Sequence, residues 1–135
     1  MLRLGQQRDV VRVVADQFGS PTHAGDLAVA LVQVTKRMLA APSQTSGTWH
    51  CTNSGFTSWH ELAEHVFACA AAHDLPVPVK LEAIVTSQYP TPALRPVDSR
   101  LEISAIAREF GIRLRPWQYA VASIVEDLAR QERMA

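Results

Sequence analysis

Apolar residues in this chain recur at two different periods, and each change of period marks an element. Leu27, Leu31, Val34 and Met38 fall at i, i+4, i+7 and i+11, the stripe that one buried helix face requires. Thr22 stands where it can cap that helix and Pro42 where it ends it. Ser58 and Glu61 form an S-x-x-E capping box, and Leu62, Ala63, Val66, Phe67 and Ala70 continue as an apolar face. Ile103, Ile106, Ala107 and Phe110 mark a short helix that Gly111 terminates. Pro116 opens a last helix striped by Trp117, Val121, Ile124, Val125 and Leu128. Met1 to Gln7 reads as the tail of a helix, ended by Gly5 or the polar residues after it.

The strand pattern is sparser. Arg12 to Ala15 is a short β-branched run, and Asp16 to Thr22 follows as a loop with Gly19 and Pro21. Gly47 to Thr52, carrying Trp49, is predicted as a strand that Asn53-Ser54-Gly55 turns back. Val79, Leu81 and Ala83 alternate with Lys80 and Glu82, the period of a half-exposed strand at a sheet edge. Five of the eight prolines lie between Pro76 and Pro96, so Ser87 to Pro96 is predicted as an extended, ordered loop. The pattern as a whole is α/β, with few short strands and about four helices in one domain spanning 1–135.

Composition narrows the function classes. With 13 basic and 13 acidic residues, the chain has no net field to draw nucleic acid or an anionic membrane. Neither partner is expected. Cys51 and Cys69 make no CxxC pair, which argues against a disulfide framework or zinc and for thiols in a reducing compartment. No secretory-signal pattern and no apolar run near ~18 residues occurs, so a cytoplasmic location is expected.

Several catalytic patterns fail on spacing. Glycines stand at 5, 19, 25, 47, 55 and 111, giving neither GxGxxG nor a P-loop. A tyrosine with a lysine four residues on, as short-chain reductases use, is not formed: Ala93 follows Tyr89 at that distance and Ser123 follows Tyr119. His60 and His65 are five apart and point to opposite helix faces, so no metal ligands are expected and both read as solvent-facing. No GxSxG elbow is present, and Ser20 and Ser54 read as loop residues.

One stretch carries a family resemblance. Val13 to Ala28 reads Val-Val-Ala-Asp-Gln-Phe-Gly-Ser-Pro-Thr-His-Ala-Gly-Asp-Leu-Ala, which closely resembles the V-x-D-Q-x-G-x-P-T-x-x-x-D-L-A signature of dTDP-4-dehydrorhamnose reductases, extended short-chain dehydrogenase/reductases. Three further blocks agree in order and spacing: Gly47 to Glu61, Tyr89 to Ser99, and Phe110 to Trp117. The chain departs from the pattern at His23, where an aromatic is frequent, and at Glu102-Ile103, where a polar capping pair is common.

The resemblance implies the family's C-terminal, substrate-binding part, with the NADPH-binding Rossmann half and the catalytic tyrosine and lysine absent. It implies dTDP-sugar binding, reduction of dTDP-4-dehydro-L-rhamnose to dTDP-L-rhamnose in the complete enzyme, no cofactor or catalytic residue on this chain, and no activity alone. It leaves room for a homodimer and for Mg2+ at the dimer contact. Relatives such as the methionine adenosyltransferase β subunit suggest an alternative, a noncatalytic regulatory subunit.

A nucleoside diphosphate sugar needs cations at its pyrophosphate, polar groups at its hydroxyls and a flat wall at its base. Arg95, in the proline-stiffened loop where the family has its Arg-Pro motif, is the phosphate candidate; the competing reading pairs it with Asp98. Gln17, Ser20 and Thr22 are the hydrogen-bonding candidates, with Thr22 equally suited to capping and Asp26 to the positive end of the helix. Trp49, Trp59 and Trp117 could each face the base, but their apolar neighbours favour the core.

Overall fold

The computed structural model describes residues 1–41 and 46–134. Its strands are β1 (Val10–Val14), β2 (Phe18–Gly19), β3 (Thr57–Ser58) and β4 (Lys80–Ile84); its helices are α1 (Leu2–Gln7), α2 (Ala24–Ala40), α3 (Trp59–Ala72), α4 (Ser104–Phe110) and α5 (Trp117–Met134). This is the α/β arrangement the sequence predicts, with five helices among the described residues where about four are expected.

β1 and β4 pair in parallel, Val10 opposite Lys80 through Val14 opposite Ile84. Parallel pairing needs a long crossover, and here residues 15–79, nearly half of the chain, supply it. One core cluster covers this sheet: Val11 buries against Ala63 and Phe67 of α3, with Val13 and Leu81 beside them. The second cluster lies between α2 and α4, where Ala30, Ile106, Phe110 and Ile112 are buried with Val34, Trp49 and Cys51 packed around them. α5 closes the molecule against α3 and buries Trp117, Ala120, Val125 and Ala129.

Three expectations are revised and one is settled. Of the two stops the sequence offers for α1, the polar residues after Gly5 end it; Gly5 itself sits within the helix, where a Cβ would lie 2.8 Å from Phe67 Cε1 and 3.0 Å from Pro78 Cδ. Gly47 to Thr52 forms no strand: the chain is irregular there, and only Ser54, past its end, makes a bridge, to Pro116. Thr22 does not cap α2; His23, one residue later, does so by accepting from Asp26 N at 3.1 Å. The predicted α2 stripe is only half realised, since Leu31 and Met38 are exposed while Ala30 is buried and Leu27 and Val34 are half-buried. Ala30 packs against Ile106 and Phe110 of the short α4 and against Ile112 after it, too small a surface to cover a full face. Pro42, the expected stop, lies outside the described residues; α2 ends at Ala40.

Other signals are realised as read. Ser58 and Glu61 close both bonds of the capping box, and Gly111 adopts the left-handed conformation (φ 68°) that ends α4. The proline-rich segment has one 3-10 turn, Thr86–Gln88, and is otherwise irregular to Pro96.

Candidate functional site

The candidate residues are held around one short segment, Asp16 to His23, which leaves β1 and enters α2. Its first anchor is Asp16, whose carboxylate accepts from Thr86 N at 2.9 Å and from Thr86 Oγ1 at 2.7 Å. The Thr86 backbone bond, followed by the hydroxyl bond, holds the Asp16 carboxyl below its ordinary value. Gln17 is buried and donates from Nε2 to the same Thr86 hydroxyl at 3.1 Å. The start of the proline-rich loop is thereby fixed on Asp16 and Gln17.

The end of that loop is fixed two residues further on. Phe18 N donates to Val97 O at 2.8 Å and Ser99 N donates to Phe18 O at 2.9 Å, which lays Val97 to Ser99 beside β2. On its other edge β2 pairs antiparallel with β3, and Trp59 N donates to Gln17 O at 3.3 Å. Arg95 therefore hangs between two anchors on one strand end, a placement that restricts the loop without burying the guanidinium.

Asp98 is not Arg95's partner. It takes a bidentate bond from Arg100, whose hydrogen bonds hold the Asp98 carboxyl down at about 2. Among the described residues, no carboxylate lies within ion-pair distance of Arg95. The cation is free for an anion from outside the chain.

A hollow of about 430 Å³ brings Arg95 and Gln17 together with Tyr89, Thr91 and Trp59. Ser20 opens instead into a neighbouring hollow shared with Ser99 and Trp59. Thr22 lines a third, mostly apolar one between Trp59 and α5. The four candidates thus surround Trp59 without all entering one cavity. Gln17 spends its amide nitrogen on Thr86, and Thr22 donates to Ser20 O at 3.0 Å.

Sequence reasoning missed the group that holds the Ser20 to His23 turn. Asn53 is fully buried; its Oδ1 accepts from His23 N at 2.7 Å, and its Nδ2 donates to Asp26 Oδ2 at 2.8 Å and to Arg115 O at 2.9 Å. Arg115 Nε donates to the same Asp26 oxygen at 2.8 Å. The Asn-Ser-Gly string signals a turn, while nothing local signals that the asparagine ties residues 27 and 62 positions away. Asp26 is accordingly structural, as one of its two sequence readings had it.

The hydrogen bond from Arg115, then that from Asn53, outweigh burial and hold the Asp26 carboxyl far below its usual range. A folded value below the unfolded one gives stability that is complete above the ordinary carboxylate value of about 4 and is lost as pH falls through the folded value. The stability gap between the wild type and Asp26→Asn is therefore expected to be widest near neutrality and to narrow below about pH 4. Urea melts across pH would show it; a gap that does not change with pH would contradict it.

The histidines are not solvent-facing as expected. His65 Nε2 lies 3.0 Å from Gln118 O and its ring packs edge-on to Trp117, while the His60 side chain is mostly buried beside Glu64. Among the described residues no group of three His, Cys, Asp or Glu side chains could hold a metal ion, so Mg2+ at a dimer contact gains no support. Among the described residues no helix is long and apolar enough to cross a membrane.

The family model described as the RmlD substrate binding domain matches residues 1–130. A dTDP-4-dehydrorhamnose reductase of Burkholderia thailandensis is 42% identical over 97% of this chain and 46% of its own length. One from Escherichia coli K12 is 37% identical over 95% of the chain and 43% of its own length. Among solved structures, a dTDP-4-dehydrorhamnose reductase of Clostridium acetobutylicum superposes with a TM-score of 0.82 at 30% identity, covering 94% of this chain and 41% of that one. Another, from Bacillus anthracis in complex with NADP, gives 0.72 at 28% identity, covering 89% and 39%. The chain spans less than half the length of the curated relatives it matches.

Proposed function

The chain belongs to the RmlD substrate binding domain family, and from that premise we propose that it forms the sugar-nucleotide side of a dTDP-4-dehydrorhamnose reductase. The observation that carries the reading is Arg95: an exposed cation with no partner carboxylate among the described residues, held by anchored loop ends over a hollow that it shares with Gln17 and two aromatic side chains. A diphosphate fits that cation, since charge-assisted bonds to phosphate are the strong ones. Ser20 and Thr22, in the two neighbouring hollows that Trp59 also lines, supply hydroxyls to the sugar or phosphate. The regulatory-subunit alternative is not favoured, because the named relatives are reductases.

The nicotinamide cofactor does not fit this chain's own residues. A dinucleotide site needs a glycine turn opening a helix, and the glycines with left-handed backbone, Gly55 and Gly111, sit at a turn and at a helix end. In our reading a cofactor-binding domain on polypeptide outside these 135 residues supplies NADPH and the proton donor. With that domain, the assembled enzyme reduces dTDP-4-dehydro-L-rhamnose to dTDP-L-rhamnose; this chain alone has no reductase activity. What supports a second domain is the sheet: the two parallel strands among the described residues are too few to stand as a sheet. The free thiols of Cys51 and Cys69 suit the cytoplasm. The same reading includes a homodimer, with the bare apolar positions Val29, Val32 and Leu39 of α2 as the face that a second copy covers.

Thermal melts with dTDP, dTDP-rhamnose and NADPH test the assignment. Both thymidine nucleotides are expected to raise the melting temperature with concentration, by roughly 8 °C at a hundredfold excess over Kd, and NADPH to leave it unchanged. Stabilisation by NADPH alone would reverse the assignment, and NADPH oxidation by the pure chain would remove the division of labour.

A further inference from the structure

We propose that Trp59 is the wall on which the nucleobase of the sugar nucleotide stacks, an inference that rests on the reading just given. The sequence favours a core role for this indole, and the structure reverses it: Trp59 is 47% exposed. An indole left half in water at a fixed position is unusual, because tryptophans bury most of their large apolar surface. The other two are so used. Trp117 is buried and meets His65 edge-on, and Trp49 meets Phe110 edge-on with ring centroids 5.0 Å apart. Among the described residues Trp59 has no aromatic or cationic partner.

Its exposure does not come from a loose backbone. Trp59 is the first residue of α3, directly after the Ser58 cap: Ser58 Oγ accepts from Glu61 N at 3.1 Å, and Glu61 Oε2 accepts from Ser58 N and from Thr57 Oγ1, each at 2.9 Å. Its own N–H is bound to Gln17 O. The side chain is therefore presented from a pinned position, as a preorganised binding surface should be. It lines each of the three hollows that contain the candidate residues. In one of them it shares the wall with Arg95, so a single hollow offers a flat π face and a cation. A nucleoside diphosphate, with a flat base on one side and two phosphates on the other, matches that pair.

Calorimetric titration of the wild type, Trp59→Phe and Trp59→Leu with dTDP and with rhamnose 1-phosphate tests this, with indole fluorescence read in parallel. Base stacking on an aromatic face predicts that Trp59→Leu weakens dTDP by roughly 5- to 50-fold, and that Trp59→Phe keeps most of the affinity. Rhamnose 1-phosphate, which carries no base, should bind all three alike. Emission of the wild type should be quenched by dTDP, and the quench should vanish in Trp59→Phe while Trp49 and Trp117 still emit. Unchanged dTDP affinity in Trp59→Leu, or a quench that persists in Trp59→Phe, overturns the inference and leaves the sugar-nucleotide reading standing. Equal losses for dTDP and rhamnose 1-phosphate would assign Trp59 to the sugar and overturn it as well. A wild type that binds no dTDP ends both readings together.

Discussion

Alanine at Asn53 is expected to lower the melting temperature by roughly 10 °C, the consequence of about 3 kcal/mol of lost stability. The side chain is fully buried and bonds to His23 N, Asp26 and Arg115 O. Its truncation removes those three bonds and leaves the His23 N–H without its partner, an orphaned donor that costs more than its bond contributed, while Arg115 O keeps Ser54 N and Asp26 keeps Arg115 Nε. Asn53→Asp should be no milder, because it sets a second carboxylate against Asp26. Calorimetric melts of the two variants measure this, and a shift under about 3 °C would show that the three segments are held by other means. Because the turn from Ser20 to His23 hangs on Asn53, dTDP affinity should fall with stability.

Arg95→Ala should do the reverse, weakening dTDP-rhamnose by roughly 10- to 150-fold while leaving the melting temperature of the free protein within about a degree. The guanidinium is exposed and makes no ion pair among the described residues, so the fold does not depend on it. Two charge-assisted bonds to a diphosphate would depend on it entirely. Arg95→Lys should recover part of the affinity, since a lysine restores the charge but not the planar fork. Titration calorimetry decides: a change below about twofold would make Arg95 an ordinary surface cation.

What could be read from the sequence was what neighbouring residues decide among themselves. The Ser58 box and the Gly111 stop involve partners within a turn or two, and both formed as expected; of the α5 stripe, Trp117 and Val125 are buried and Val121 is half-buried, while Ile124 and Leu128 are exposed and Ala120 and Ala129 are buried instead. Gly47 to Thr52 shows where local reading runs out. Trp49 and Cys51 do pack inward together against the α4 cluster, but no neighbouring strand came to bond the backbone. The α2 stripe failed for a related reason, because a helix pattern names an apolar face and not the extent of what will cover it.

The candidate site was legible in part. The signature around Asp16 to Thr22 located the segment, and the proline-rich loop located Arg95. That the two meet depends on Thr86 and on Val97 to Ser99 folding back onto Asp16 and Phe18, contacts about 70 to 80 positions apart. Trp59 was misassigned because exposure is a property of the assembled surface. Seen in sequence, a tryptophan beside a capping box resembles any other core residue.

The parallel register of β1 with β4 has a kinetic consequence. Val10 to Val14 can meet Lys80 to Ile84 only after some 65 intervening residues have closed into a loop, and non-local pairing of that kind is slow to form. Folding of this chain should therefore be limited by sheet closure. Helix turns such as the capped start of α3 can form early, while the strand pair, and with it the Asp16 to Thr86 anchor of the ligand loop, completes last.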